Sequence, residues 1–153
     1  MTNVTRRVPF VVALACFLSA GASLAATGLW TPTGVHGVVV YLLDGKWEEV
    51  TPGQDLAQAK LRTLRSGRLS LTGPSVTLEV GPNSALQLTM KADGSGGTVE
   101  QYLGSLNVAA QKANAGLIVR AGKLTLSGIT GEVLVQVAGN STSITVASGT
   151  AAV

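Results

Sequence analysis

The chain has 153 residues, 46% hydrophobic, 12% charged and 4% aromatic, with a formal net charge of +3. That is the length of one domain, and enough to bury a core without staples. One cysteine, Cys16, and one histidine, His36, exclude a disulfide framework and any metal site that needs several thiolate or imidazole ligands.

The N-terminus has the marks of an export signal. Arg6 and Arg7 give a positive start, Val8 to Leu18 form an apolar run, and Ser23-Leu24-Ala25 places small residues where a signal peptidase reads them. Residues 1–25 are therefore expected to be a signal peptide, cleaved between Ala25 and Ala26, with the protein delivered to the periplasm. The apolar run falls short of the roughly 20 residues that cross a bilayer, so no retained transmembrane helix is expected. Ala13-Leu14-Ala15-Cys16 approaches a lipobox, which leaves lipid anchoring through Cys16, or secretion, as alternative destinations. Removing Arg6 and Arg7 from eleven cations leaves nine against eight acids, about +1, which does not suit a nucleic-acid partner.

Residues 26–34 read as a lead-in without regular structure, and the folded domain is expected over residues 35–153. Val35 to Leu43 is apolar and β-branched and ends at Asp44-Gly45, a hairpin dipeptide, with Trp47 to Val50 returning. Thr51-Pro52-Gly53 closes this hairpin as a turn. Gln54 to Arg65 holds good helix formers and leaves room for a single helical turn.

From Arg68 the period becomes two. Leu69 and Leu71, then Val76, Leu78 and Val80, then Leu86, Leu88 and Met90 alternate with polar residues, separated by Gly73-Pro74 and Gly81-Pro82-Asn83. Asp93-Gly94-Ser95-Gly96-Gly97 reads as the most mobile loop, and it lacks the Lys-Ser/Thr and following helix of a phosphate cradle. Further short strands are expected at Val99 to Leu103, Leu106 to Val108, Leu117 to Val119, Leu124 to Leu126, Val133 to Val137 and Ile144 to Val146, with a last one at Ala151 to Val153. About ten short strands with little helix imply an all-β fold, either a two-sheet sandwich or a rolled, solenoid-like stack with an aliphatic core. Burial of Leu and Val at roughly 1.5–3 kcal/mol each needs no cofactor to support it.

The chemistry of catalysis is sparse. His36 has no Gly-x-Ser-x-Gly elbow to serve, and Asp44, Glu48, Glu49 and Asp55 read as a solvated hairpin edge rather than a carboxylate pair across a cleft. Lys60, Arg62, Arg65 and Arg68 form the one basic cluster, a candidate docking surface for an acidic protein or an anionic envelope polymer. Trp30, Tyr41, Trp47 and Tyr102 are the aromatic residues available for a binding patch or for capping the core.

Trp47, Gly53, Leu56, Leu61-Arg62-Thr63, Ser66-Gly67, Val76 to Val80, Gly81-Pro82-Asn83-Ser84 and Leu103-Gly104-Ser105-Leu106 occur in the order and spacing of the FecR-type domain, which the chain resembles over roughly residues 35–153. The resemblance implies a periplasmic all-β module. In the family's best-known members it sits in a regulator that relays a transporter's signal to a sigma factor. The few residues ahead of its apolar stretch do not read as a sigma-binding segment, so the relay role is not the first expectation. The expected function is therefore that of a non-enzymatic, cofactor-free envelope module that binds a protein or polymer in signalling or assembly. The alternatives are a structural protein that self-associates through sheet edges, and a component of the relay itself.

Overall fold

The computed structural model describes residues 30–114 and 116–153; the expected export signal, Cys16 and the expected Ala25–Ala26 cleavage site lie outside them. Among the described residues there are eleven strands and no helix. They are β1 (Thr31–His36), β2 (Val39–Leu43), β3 (Lys46–Glu49), β4 (Lys60–Thr63), β5 (Arg68–Thr72), β6 (Val76–Val80), β7 (Ala85–Met90), β8 (Gly97–Asn114), β9 (Leu117–Ala121), β10 (Leu124–Ala138) and β11 (Ser141–Ala152). All belong to one curled sheet, antiparallel except where β9 lies parallel to β8. One path through it runs β1, β5, β6, β8, β7, β4, β2, β3, and β10 branches from β8 to carry β11.

Two long strands make the curl. The first part of β8 pairs with β7 on one side and β9 on the other, and its continuation past Gly104 pairs with β6 and β10. The change of partners falls at a bulge opposite Ala85 and Leu86 and at Gly104, whose φ of 89° suits glycine. β10 repeats the device: Leu124 to Leu126 pair with β9, and the stretch beyond Gly128 and Gly131 pairs with β8 and β11.

Period-two patterning then turns one side chain in two toward the inside of the curl. Leu69 and Leu71, Val76, Leu78 and Val80, Leu86 and Leu88, Leu106 and Val108, Val119, and Val133 and Val135 form a single buried cluster. Trp30 closes it at one end, almost fully buried, with its ring over Gly73, where a Cβ would sit 2.8 Å from the indole.

Four local expectations change. β1 begins at Thr31, inside the stretch read as a lead-in, and Gly37 at φ 63° separates it from β2, so the apolar run that follows is not one strand. Lys60 to Thr63 is strand β4, in the segment that left room for a helical turn; Leu61 and Thr63 point inward while Lys60 and Arg62 face solvent, a tertiary demand that overrides helix propensity. Ahead of it, Ala57 and Ala59 run beside β7, their carbonyls accepting the N–H groups of Met90 and Leu88. The glycine-rich loop is a closed turn: Lys91 N–H donates to Gly96, Gly94 N–H donates to Lys91, and Asp93 Oδ1 accepts Ser95 N–H at 2.9 Å. Gly96 packs so closely on Gly116 that a Cβ there would lie 2.0 Å from its carbonyl oxygen. Finally, several short strands expected late in the chain are merged into β8, β10 and β11, of 18, 15 and 12 residues.

Candidate functional site

Cross-strand register brings together residues that are scattered in sequence. Trp47 on β3 stands opposite Leu42, Lys60 on β4 opposite Gln87, Gln87 opposite Glu100, and Glu100 opposite Arg120 on β9. Arg62 stands between Val40 and Ala85. These positions alternate with the buried Leu61, Thr63, Leu86 and Val99, so they share the outer face of the curl.

A polar knot under β4 fixes this face. Thr63 is buried; its hydroxyl donates to the Gly81 carbonyl at 2.6 Å and accepts the Ser84 N–H at 2.9 Å. Ser84 Oγ in turn accepts the Ser105 N–H at 3.1 Å, and the Gly81 N–H donates to the Ser105 carbonyl at 2.9 Å. Three separate stretches of sequence, around Thr63, Gly81 to Ser84, and Gly104-Ser105, thus meet beside Arg62. Gly104 is needed there, since a Cβ would fall 2.1 Å from Ser84 Oγ.

On the outside, Leu42, Trp47, Lys60, Arg62, Ala85 and Tyr102 line an open groove of about 400 Å³. The Arg62 guanidinium lies 4.7 Å from the centroid of the Trp47 ring, a cation–π contact made by an exposed side chain. Trp47 is 42% exposed and Tyr102 56%, unusually open for large aromatic side chains. Tyr102 sits at the β7–β8 bulge, and its hydroxyl donates to Glu100 Oε2 at 2.8 Å. That hydrogen bond to the carboxylate raises the phenol above its ordinary pKa, with smaller contributions from desolvation and the carboxylate's charge. Arg120 reaches Glu100 at 3.4 Å, the one ion pair among the described residues, so Lys60 and Arg62 have no carboxylate partner.

The four cations adjacent in sequence separate in space. Lys60 and Arg62 share the groove, Arg65 is exposed in the turn between β4 and β5, and Arg68 lies on β5 opposite His36. The acidic residues do not converge either. Asp44 occupies the first position of the β2–β3 turn at φ 48°, Glu48 accepts from the Tyr41 hydroxyl at 3.2 Å, Glu49 is exposed at the end of β3, and Asp55 accepts the Ala57 N–H at 2.9 Å. Among the described residues no group of three or more His, Cys, Asp or Glu could hold a metal ion. Of the four candidate aromatics, Trp30 is core, Tyr41 packs against the core, and only Trp47 and Tyr102 face the groove.

Gln87, Glu100 and Arg120 belong to this face without having been marked in the sequence. Alternation alone places Lys60 and Arg62 together, but only the strand order brings β3 and β8 beside them. A larger depression, about 660 Å³, lies at the Gly122 and Gly139 turns, with Lys123 as its one charged lining residue. It offers neither aromatic faces nor paired cations. No helix of the described residues is long and apolar enough to cross a membrane.

No family profile matches the chain, and no curated protein or solved structure matches it. Its fold and outer face define it as an all-β domain with an open groove of cationic and aromatic side chains.

Proposed function

We propose that this chain is a FecR-like module exported to the periplasm, non-enzymatic, that binds an anionic envelope polymer along the groove of β3, β2, β4, β7 and β8. In this reading the curl acts as a two-layer sandwich, with β8 and β10 passing from one layer to the other. One observation carries the proposal: two cations without carboxylate partners among the described residues, Lys60 and Arg62, line one groove with two exposed aromatic faces, Trp47 and Tyr102. Arg62, stacked on Trp47, presents a planar fork suited to carboxylate or phosphate, and the aromatic faces suit sugar rings or other flat apolar surfaces. An open groove fits an extended chain better than the apolar core patch of a protein interface.

Trp30 is buried and Trp47 exposed, so a change in tryptophan emission reports the groove. Titration with an acidic polysaccharide is expected to give a saturable change that weakens as salt rises and is lost in Trp47→Ala. An unchanged emission up to millimolar polymer refutes the proposal. Saturable binding of an acidic protein with none of the polysaccharide moves the function to protein recognition.

A further inference from the structure

Among the described residues the sheet has open edges at β1, β3 and β11, and at the three residues Leu124 to Leu126 of β10 that pair with β9 alone, and they are not alike. β3 is four residues long and charged, Lys-Trp-Glu-Glu, and β1 carries Pro32 and a bulge between Pro32 and Gly34. Short length, charge, proline and bulges are the ordinary defences of a sheet edge against pairing with another chain. β11 keeps a regular register from Ser141 to Val146 and shifts beyond it, at Ala147, between the partners of Glu132 and Val133. It runs for 12 residues, Ser-Thr-Ser-Ile-Thr-Val-Ala-Ser-Gly-Thr-Ala-Ala, without a charge or a proline, and among the described residues it pairs only with β10.

The register shows what that edge offers. β10 and β11 are joined through Gly139-Asn140, with Gly139 at φ 58°, and Ala138 faces Ser141 across the turn. In a two-residue hairpin the flanking pair exchanges both hydrogen bonds, and such pairs alternate along the ladder. The N–H and C=O groups of Ser141, Ser143 and Thr145 therefore turn toward β10, and those of Thr142, Ile144 and Val146 turn outward. Their side chains point to the inside of the curl, opposite Val137, Val135 and Val133, yet Val146 is 45% exposed where Val133 is fully buried. The inner face is thus left uncovered at Val146, while Ile144 and Ala151 pack against the core.

We infer that β11 pairs antiparallel with β11 of a second copy about a two-fold axis near Ile144 or Thr145. An uncharged strand meets its own copy without like-charge repulsion, the outward groups of Thr142, Ile144 and Val146 find partners, and Val146 is covered by Thr142 or Ile144 of the second copy. Such a contact is isologous and closes on itself. With β1 and β3 defended and the open segment of β10 only three residues long beside Lys123, assembly stops at the dimer and no fibre grows. This pairing is independent of the groove, which lies on other strands.

The test is sedimentation equilibrium on the protein as the exporting host processes it, beside Val146→Lys and Val146→Pro. Lysine places a charge at the two-fold contact, and proline removes an N–H that faces away from β10. The expected result is a concentration-dependent dimer for the parent and a monomer for both variants, with melting temperatures close to the parent's. A parent that stays monomeric at several hundred micromolar overturns the inference, as does a dimer that survives in both folded variants or a series of ever larger species.

Discussion

Replacing Thr63 by valine separates the polar knot from ordinary packing as the force that holds β4. The side chain is buried, and valine reproduces its shape while removing the hydroxyl that bridges Gly81 and Ser84. Each buried backbone group left without its partner costs about 1–3 kcal/mol, so the substitution should lower stability by roughly 2–4 kcal/mol. Thr63→Ser keeps the bridge and loses one methyl group, at a cost of about 1 kcal/mol. For a domain of this size that is roughly 4 °C of melting temperature per kcal/mol, a fall of about 8–16 °C for valine against about 4 °C for serine. Urea unfolding followed by the emission of the buried Trp30 in a Trp47→Phe background gives the free energies directly. Should serine cost as much as valine, or valine cost less than about 0.5 kcal/mol, the site is held by packing and the knot is incidental.

Gly104→Ala should cost about 3 kcal/mol or more, because it adds a Cβ 2.1 Å from Ser84 Oγ at a φ of 89°; thermal melting measures it. Leu78→Ala empties a fully buried site in the centre of the core and should cost about 2–5 kcal/mol by urea unfolding, while Leu43→Ala, on an exposed strand end, should fall within about 0.5 kcal/mol of the parent. The Tyr102 phenol should titrate above the ordinary tyrosine value because it donates to Glu100, and Glu100→Gln should bring it down. A raised folded-state value means that any contribution to stability is present below the unfolded pKa and is lost as pH rises through the folded one. The tyrosinate absorbance of the parent minus that of Tyr102→Phe isolates this group from Tyr41. Asp93 shifts the other way, lowered chiefly by the Ser95 backbone N–H, so the support it gives its turn is present above the ordinary aspartate value and is lost as pH falls through the depressed one; carboxylate NMR titration reads the shift.

Much of the fold was legible because strands announce themselves locally. Alternation at Leu69 to Leu71, Val76 to Val80 and Leu86 to Met90 fixed both their type and their inner faces, and Asp44-Gly45 marked its hairpin. β4 was hidden because Gln, Ala, Lys, Leu and Arg favour helix, and only pairing with β2 and β7 makes the segment a strand. β1 was hidden for a related reason: Pro32 and Gly34 read as irregular, and its bulged pairing with β5 involves residues more than thirty positions away. The length of β8 could not be read either, since Gly104 looks like a terminator and is instead the point where one strand changes partners. The basic cluster illustrates the same limit for function. Adjacency in sequence joined Lys60 and Arg62 to Arg65 and Arg68, whereas the turn at Ser66-Gly67 sends Arg68 to another part of the sheet and register supplies Trp47 and Tyr102 in its place.

That division gives the most direct test of the binding face. Affinity for an acidic polysaccharide would be measured across a salt series for the parent, for Lys60→Ser with Arg62→Ser, and for Arg65→Ser with Arg68→Ser, each confirmed as folded. Both double variants lose the same net charge, so bulk electrostatics affects them alike. Loss of two charge-assisted contacts should weaken binding by the first pair about tenfold or more, while the second pair stays within about threefold of the parent. Equal weakening by both pairs, or none by the first, would contradict the groove as the site of binding.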